Sequence, residues 1–310
     1  MVEYGNLYYK DENYSVCMGI DPENCKKAVL HPNTRIIGNF AFSNTELKEI
    51  VFNDKLQRIE NGAFDETKVE NIILPPQLEK LSISAFKNCI HLKSVDFSKT
   101  DIRKIDEKTF EGCEKLKKVI LPKNLKKICR AAFHGCLNLE EINLPNTVES
   151  IGVLGFANTC LKNFVFPENV SAANASVFAD CIFLEKVDLK NVNRIEGYAF
   201  NGCIKLKEIE LPERVFILAL SAFSNTKVKE LSLPKDLRTI FITEDKSTSV
   251  RKLLYRSKLD ENLKKQITDG IKKHFSSIQL KEYDLSSIID RCSSFKEINN
   301  AYKEKEEFFK

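Results

Sequence analysis

The chain has 310 residues, 43% apolar and 30% charged, with 48 basic against 44 acidic side chains and a net charge of +4. No window reaches the ~18 consecutive apolar residues of a membrane span, and Met1-Val-Glu-Tyr-Gly5 lacks the basic start and apolar run of a signal peptide. Residues 251–310 hold 14 basic and 10 acidic side chains, the whole of the excess, so residues 1–250 are balanced, which argues against a nucleic-acid-binding array.

Residues 1–28 read as strands, Leu7-Tyr8-Tyr9 and Tyr14 to Met18, with Asp11-Glu-Asn13 and Asp21-Pro22 as turn material. They predict an N-terminal β-hairpin cap, with the tyrosines as cap packing.

From residue 29 to 242 one sentence repeats. A phenylalanine usually preceded by a small residue recurs at near-constant spacing, at Phe42, Phe64, Phe86, Phe110, Phe133, Phe156, Phe178, Phe200 and Phe223. Fixed self-similarity at this period, with a Leu-x-x-Leu-x-Leu core, predicts a solenoid in which each coil buries its apolar side against its neighbours. In Leu116-Lys-Lys-Val-Ile-Leu-Pro122 the two-residue period of a strand puts Val119 and Leu121 inward and Ile120 outward. The same frame gives Val95/Phe97, Ile142/Leu144 and Ile209/Leu211 as inward pairs. Pro122, Pro145, Pro167, Pro212 and Pro234 close strands, because proline has no ladder donor and a fixed φ. A second apolar pair such as Leu125/Ile128 then leads into the phenylalanine turn, where a short helical turn is expected.

Two residues past the phenylalanine stands Asn44, Asn88, Gly112, Gly135, Asn158, Asp180, Gly202 or Asn225, residue types that accept a left-handed conformation; Glu66 departs from the rule. The next position is Cys89, Cys113, Cys136, Cys181 or Cys203 in five coils and Thr45, Thr67, Thr159 or Thr226 in four. Cysteine coils reach their first strand leucine in three residues and threonine coils in two, so this residue has a structural job in the turn. A slot that threonine fills equally well marks a small buried side chain rather than a disulfide framework.

These coils, Leu-x-x-Ile-x-Leu-Pro-x-x-Leu-x-x-Ile-x-x-x-Ala-Phe-x-Asn/Gly-Cys/Thr, resemble the BspA-type leucine-rich repeat family. The resemblance implies an α/β repeat solenoid, a leucine-rich repeat array of nine to ten coils at the phenylalanine spacing, with stacked short parallel strands and short helical turns. It also implies a non-enzymatic protein-binding module, scaffold or adhesin-like. The pattern is departed from at Ala173, where isoleucine is expected, and at Phe97-Ser98 and Leu189-Lys190, where the proline is missing.

Within residues 29–242 the outward column reads Val51, Ile73, Asp96, Ile120, Asn143, Val165, Asp188, Glu210 and Ser232, with Glu208 and Glu230 alongside. Val51, Ile73, Ile120 and Val165 followed by Asp188, Glu208 and Glu210 are the candidate protein-binding face. The bland account is that β-branched residues suit strands. A second column, Arg58, Lys80, Lys104 and Lys127, is a candidate basic stripe for nucleic acid or another anionic polymer, unless Glu60 and Asp106 screen it.

Residues 243–310 leave the repeat. Apolar residues at Val250, Leu253, Leu254, Leu259, Leu263 and Ile267 behind Ser249 predict a capping helix, with a strand at Ser277–Leu280 and further helix from Leu285 to Phe309. There is no P-loop, no Gly-x-Gly-x-x-Gly, no His-Glu-x-x-His and no Cys-x-x-Cys. Cys89-x-His91 and His134-x-Cys136 have reversed orders at a turn position threonine shares, so no metal site or thiol nucleophile is read there. Catalysis would have to lie in the tail, around Asp290, Arg291 and Cys292. The expected partner is another protein, with no cofactor, no small-molecule substrate and no membrane span. The location expected of the chain as written is cytoplasmic, with the cell surface or secretion as the alternative.

Overall fold

A computed structural model describes residues 1–228, Pro234, Leu237 and the strands Thr239–Thr243 and Arg251–Leu253. The chain winds as a β solenoid. Each coil contributes to three stacked surfaces: two of short parallel strands, here faces A and B, and one of turns.

Face A holds Lys27–Val29, Glu49–Val51, Asn71–Ile73, Ser94–Asp96, Lys118–Ile120, Asn163–Val165 and Lys186–Asp188. Its ladders are short, since Val29 pairs Val51, Asp96 pairs both Ile73 and Ile120, and Val165 pairs Asp188, with no pairing between these groups among the described residues. Face B is longer. The strands Val2–Tyr4, Leu7–Tyr9 and Val16–Ile20 form an antiparallel meander that continues in parallel into Ile36–Ile37, Arg58–Ile59 and Lys80–Leu81. Lys104–Ile105, Lys127–Ile128 and Ser150–Ile151 make a second run, and Ala172–Ala173, Arg194–Ile195, Ile217–Ala219 and Thr239–Thr243 a third.

The short helical turns expected at the phenylalanines do not form as a class. Among the described residues the only helices are 3-10 turns at Pro22–Asn24 and Leu220–Phe223. The reason is where the N–H groups go. At Phe133, Ala131, Phe133 and Gly135 donate to Val153, Gly155 and Ala157 of the next coil, while Ala132, His134 and Cys136 donate three residues back. Alternate amides thus point along different axes, which an α-helix does not permit. Two left-handed residues per turn enforce this. The expected one is present throughout, including Glu66 at φ 60°, and a second lies two residues before the phenylalanine, as at Phe40, Ser84, Lys108, Ala131 and Leu154, except at Phe223, which ends the 3-10 turn. Left-handed φ costs a non-glycine residue roughly 1–2 kcal/mol, so packing must hold it.

That packing is the phenylalanine stack. From Phe64 to Phe223 successive rings lie 4.7 to 5.8 Å apart with planes within 14° of parallel. Around them Leu78, Ile105, Leu125, Ile128, Ile151 and Leu184 are buried in one continuous core. The departures from the repeat are resolved locally. Where proline is missing, the outward aspartate closes the strand instead: Asp96 Oδ1 accepts the Ser98 N–H at 2.7 Å and Asp188 Oδ1 the Lys190 N–H at 3.0 Å. At Ala173 the face B ladder breaks, and the Asn174 amide donates to the Ile151 carbonyl at 2.6 Å.

Arg251–Leu253, placed by the sequence inside a capping helix, is a strand antiparallel to Thr239–Thr243. A strand there pairs the outer edge of Thr239–Thr243, which a helix would leave unpaired. Ser249, the rest of the expected helix, the later tail segments and the Asp290–Cys292 group lie outside the described residues.

Candidate protein-binding face

The outward column of face A is where the alternation placed it. Val51, Ile73, Ile120 and Val165 are 43%, 65%, 36% and 57% exposed, while Ile72, Val95 and Phe164 between them turn into the core. The same register exposes Val29 by 46%, directly paired with Val51. Sequence reading missed it by starting the array at residue 29, inside a strand whose alternation, Ala28 and Leu30 inward, was already visible.

Asp188, Glu208 and Glu210 are in the frame, but the structure separates their roles. Asp188 both caps its own strand and meets Lys190 Nζ at 3.1 Å, so it is partly engaged. Residues 208–210 carry no strand, leaving Glu208 and Glu210 without a ladder to hold them. Glu230 and Ser232 lie outside the described residues. Beside the column run ion pairs between neighbouring coils: Lys27–Glu49 at 2.8 Å, Lys93–Glu70 at 2.6 Å and Lys162–Glu140 at 2.7 Å. Hydrogen bonds from Lys93 and Lys162 hold the Glu70 and Glu140 carboxyls below their ordinary range.

The basic stripe lies on face B, with Arg58 opposite Lys80 and Lys104 opposite Lys127. It is laced with carboxylate. Glu60 pairs with Arg58 and lies 3.5 Å from Lys80, and Asp106 meets Lys104 at 2.9 Å, which raises the Lys104 pKa. Such pairing takes away most of the field an anionic polymer would feel.

The thiols have a turn function. Cys89, Cys113, Cys136, Cys181 and Cys203 donate to the phenylalanine carbonyl of the preceding coil at 2.9 to 3.2 Å. Thr45, Thr67, Thr159 and Thr226 instead donate to the phenylalanine of their own coil at 2.6 to 2.9 Å. Burial pushes the Cys181 thiol up to about 11 and raises those of Cys113, Cys136 and Cys203, against nucleophilic or metal-binding use. His134 faces Glu111 at 3.6 Å. Among the described residues no three His, Cys, Asp or Glu side chains converge as metal ligands, and no helix is long and apolar enough to cross a membrane.

A stack of repeated coils with an inward leucine-isoleucine-phenylalanine frame defines a leucine-rich repeat solenoid. The BspA type Leucine rich repeat region matches residues 22–137 and 126–244 in six copies, so the chain belongs to that family. Among solved structures it is similar to a leucine-rich repeat protein from Bacteroides ovatus, at 23% identity over 69% of this chain and 74% of that one, with a TM-score of 0.47. A leucine rich cell surface protein from Faecalibacterium prausnitzii matches at 24% identity over 68% of this chain, with a TM-score of 0.48. The pneumococcal vaccine antigen PcpA matches at 23% over 69%, again with a TM-score of 0.48. The chain spans 60% and 58% of the length of those last two proteins. Comparison with curated proteins found no match.

Proposed function

We propose that the protein is a non-enzymatic binding module whose partner is another protein, docked on face A across Val29, Val51, Ile73, Ile120 and Val165. The observation that carries this reading is the exposed column itself. β-branched residues project from strands whose backs are fixed in a continuous core, so their spacing is preset and little order is lost on binding. Asp188, Glu208 and Glu210 extend the surface toward basic groups of the partner. Replacing Ile73 and Ile120 with lysine should leave the fold intact, because Ile73 stands largely in water and at the partly covered Ile120 position a lysine stem can lie over the core edge with its ammonium outward. Binding of the partner, recovered by pull-down from the native source, should fall by more than about tenfold. Full binding by the folded double variant removes face A from consideration. Salt-sensitive retention of the full chain on heparin, lost on neutralising Lys80 and Lys127, would favour the stripe instead. The proposed compartment is the cytoplasm, carried by the buried thiols; the alternative is the cell surface, and impermeant biotin labelling of intact cells separates them.

A further inference from the structure

Where the turns meet face A, one edge of the solenoid carries apolar residues that the core does not use. In the cysteine coils two residues separate the cysteine from the first inward leucine, and the first of them is apolar and open to water at four coils. Ile90, Leu137, Ile182 and Ile204 are 45%, 40%, 44% and 47% exposed. In the threonine coils that follow, a single residue fills the same loop, Cys160 and Lys227. These loops stack as a column because hydrogen bonds between consecutive coils bracket them. On one side Gly135 N–H reaches Ala157 O and Asp180 N–H reaches Asn201 O, and on the other Glu185 N–H reaches Lys162 O, at 2.7 to 3.0 Å. Asn138 adds a side-chain bond to the Glu114 carbonyl of the coil before, at 2.8 Å.

From Glu114 onward the column reads Glu114, Leu137, Cys160, Ile182, Ile204 and Lys227. Four apolar positions thus stand between an acid and a base, ~25 Å from end to end at one strand spacing per coil. Among the described residues neither Glu114 nor Lys227 takes part in an ion pair. Such a column is complementary to itself reversed. Turning a second copy end for end, about a two-fold axis across the edge, sets Leu137 on Ile204, Cys160 on Ile182 and Glu114 on Lys227 of that copy. The same operation keeps every column opposite itself, so the exposed column beside it, Glu140, Lys162, Glu185 and Lys207, gives an independent check. Glu140 meets Lys207 and Lys162 meets Glu185. Within one copy Lys162 already pairs with Glu140, and Lys205 with Glu185, so these charges add little attraction and act instead on register. A slip of one coil puts Lys162 on Lys162 with Glu140 on Glu185, or Glu185 on Glu185 with Lys162 on Lys207. A slip of two sets Glu114 on Ile182 or Lys227 on Cys160.

We infer that this edge is an interface between two antiparallel copies of the chain, with Leu137, Cys160, Ile182 and Ile204 at its centre. The inference does not depend on the face A reading. Four coils of apolar contact fall short of the roughly 800 Å² per partner of a standard interface, so association is weak, with a Kd on the order of 0.1 mM.

The test uses the full chain in sedimentation velocity, over a concentration series up to about 1 mM, where a monomer–dimer equilibrium should appear. Ile182→Asp with Ile204→Asp should weaken it by more than about tenfold, with circular dichroism checking the fold. Glu114→Lys and Lys227→Glu should each weaken association about three- to tenfold, and the two together should restore it, because unlike charges again face one another. These two positions are exposed, so the swaps carry the test if the double aspartate variant does not fold. Ile182→Cys reads the register directly: under diamide it should give a covalent dimer whose bond maps, by peptide mass spectrometry, between residues 160 and 182 of different copies. A chain that stays monomeric overturns the inference. So does a dimer indifferent to the aspartate substitutions, a paired swap that fails to restore association, or a bond that joins 160 to 160 instead.

Discussion

At the scale of single residues, stability rests on contacts between a coil and its neighbour. Phe133 is fully buried between Phe110 and Phe156 at 5.4 and 5.5 Å. Phe133→Ala should cost about 3–5 kcal/mol, read from urea unfolding, and an unchanged midpoint would mean the ring is not packed as described. Gly152 is constrained by space rather than by φ: an added Cβ would lie 2.6 Å from the backbone of Cys129 and Arg130. Gly152→Ala should therefore destabilise by about 1–3 kcal/mol, the usual cost of overpacking. Asp65 behaves oppositely. Burial raises its pKa, outweighing the attraction of Lys87, and its Oδ1 is buried without a partner. A carboxyl that binds its proton more tightly when folded penalises the fold as pH rises through its folded pKa and not below the unfolded value of about 3.9. Asp65→Asn should raise the melting temperature at pH 7, with the gain disappearing in acid; a gain independent of pH would assign it to something other than charge.

At the scale of the coil, the sequence frame was readable because inward and outward residues alternate within three positions. Val119 and Ile120 could not exchange roles without turning every side chain of that strand. The proline-free coils show what the frame hides. Asp188 looked like an acidic docking group, yet it also replaces the missing proline by holding the Lys190 N–H. Asp188→Ala should cost about 1 kcal/mol by thermal melting, whereas Asp188→Asn should keep the turn and fold. Partner binding by Asp188→Asn then reports the charge alone. The same local chemistry explains the Cys/Thr choice. The longer cysteine loop lets Sγ reach back to the preceding coil, and the shorter threonine loop leaves the hydroxyl on its own phenylalanine.

At the scale of the whole molecule, each coil meets only its neighbours, so damage stays local. In Phe133→Ala, hydrogen exchange should rise mainly between Phe110 and Phe156, and uniform loss of protection along the array would contradict nearest-neighbour packing.

The period, the inward pairs, the left-handed residue after each phenylalanine and the exposed column were all determined by the sequence alone, because each is set by chemistry that recurs within one coil. The tertiary structure decided the rest. Turns replaced helices because their amides are claimed by the next coil, one full repeat further along the chain. The ladder breaks at Leu81 and at Ile151 depend on how two coils of unequal content meet. That meeting is a register between coils, and no single coil contains it.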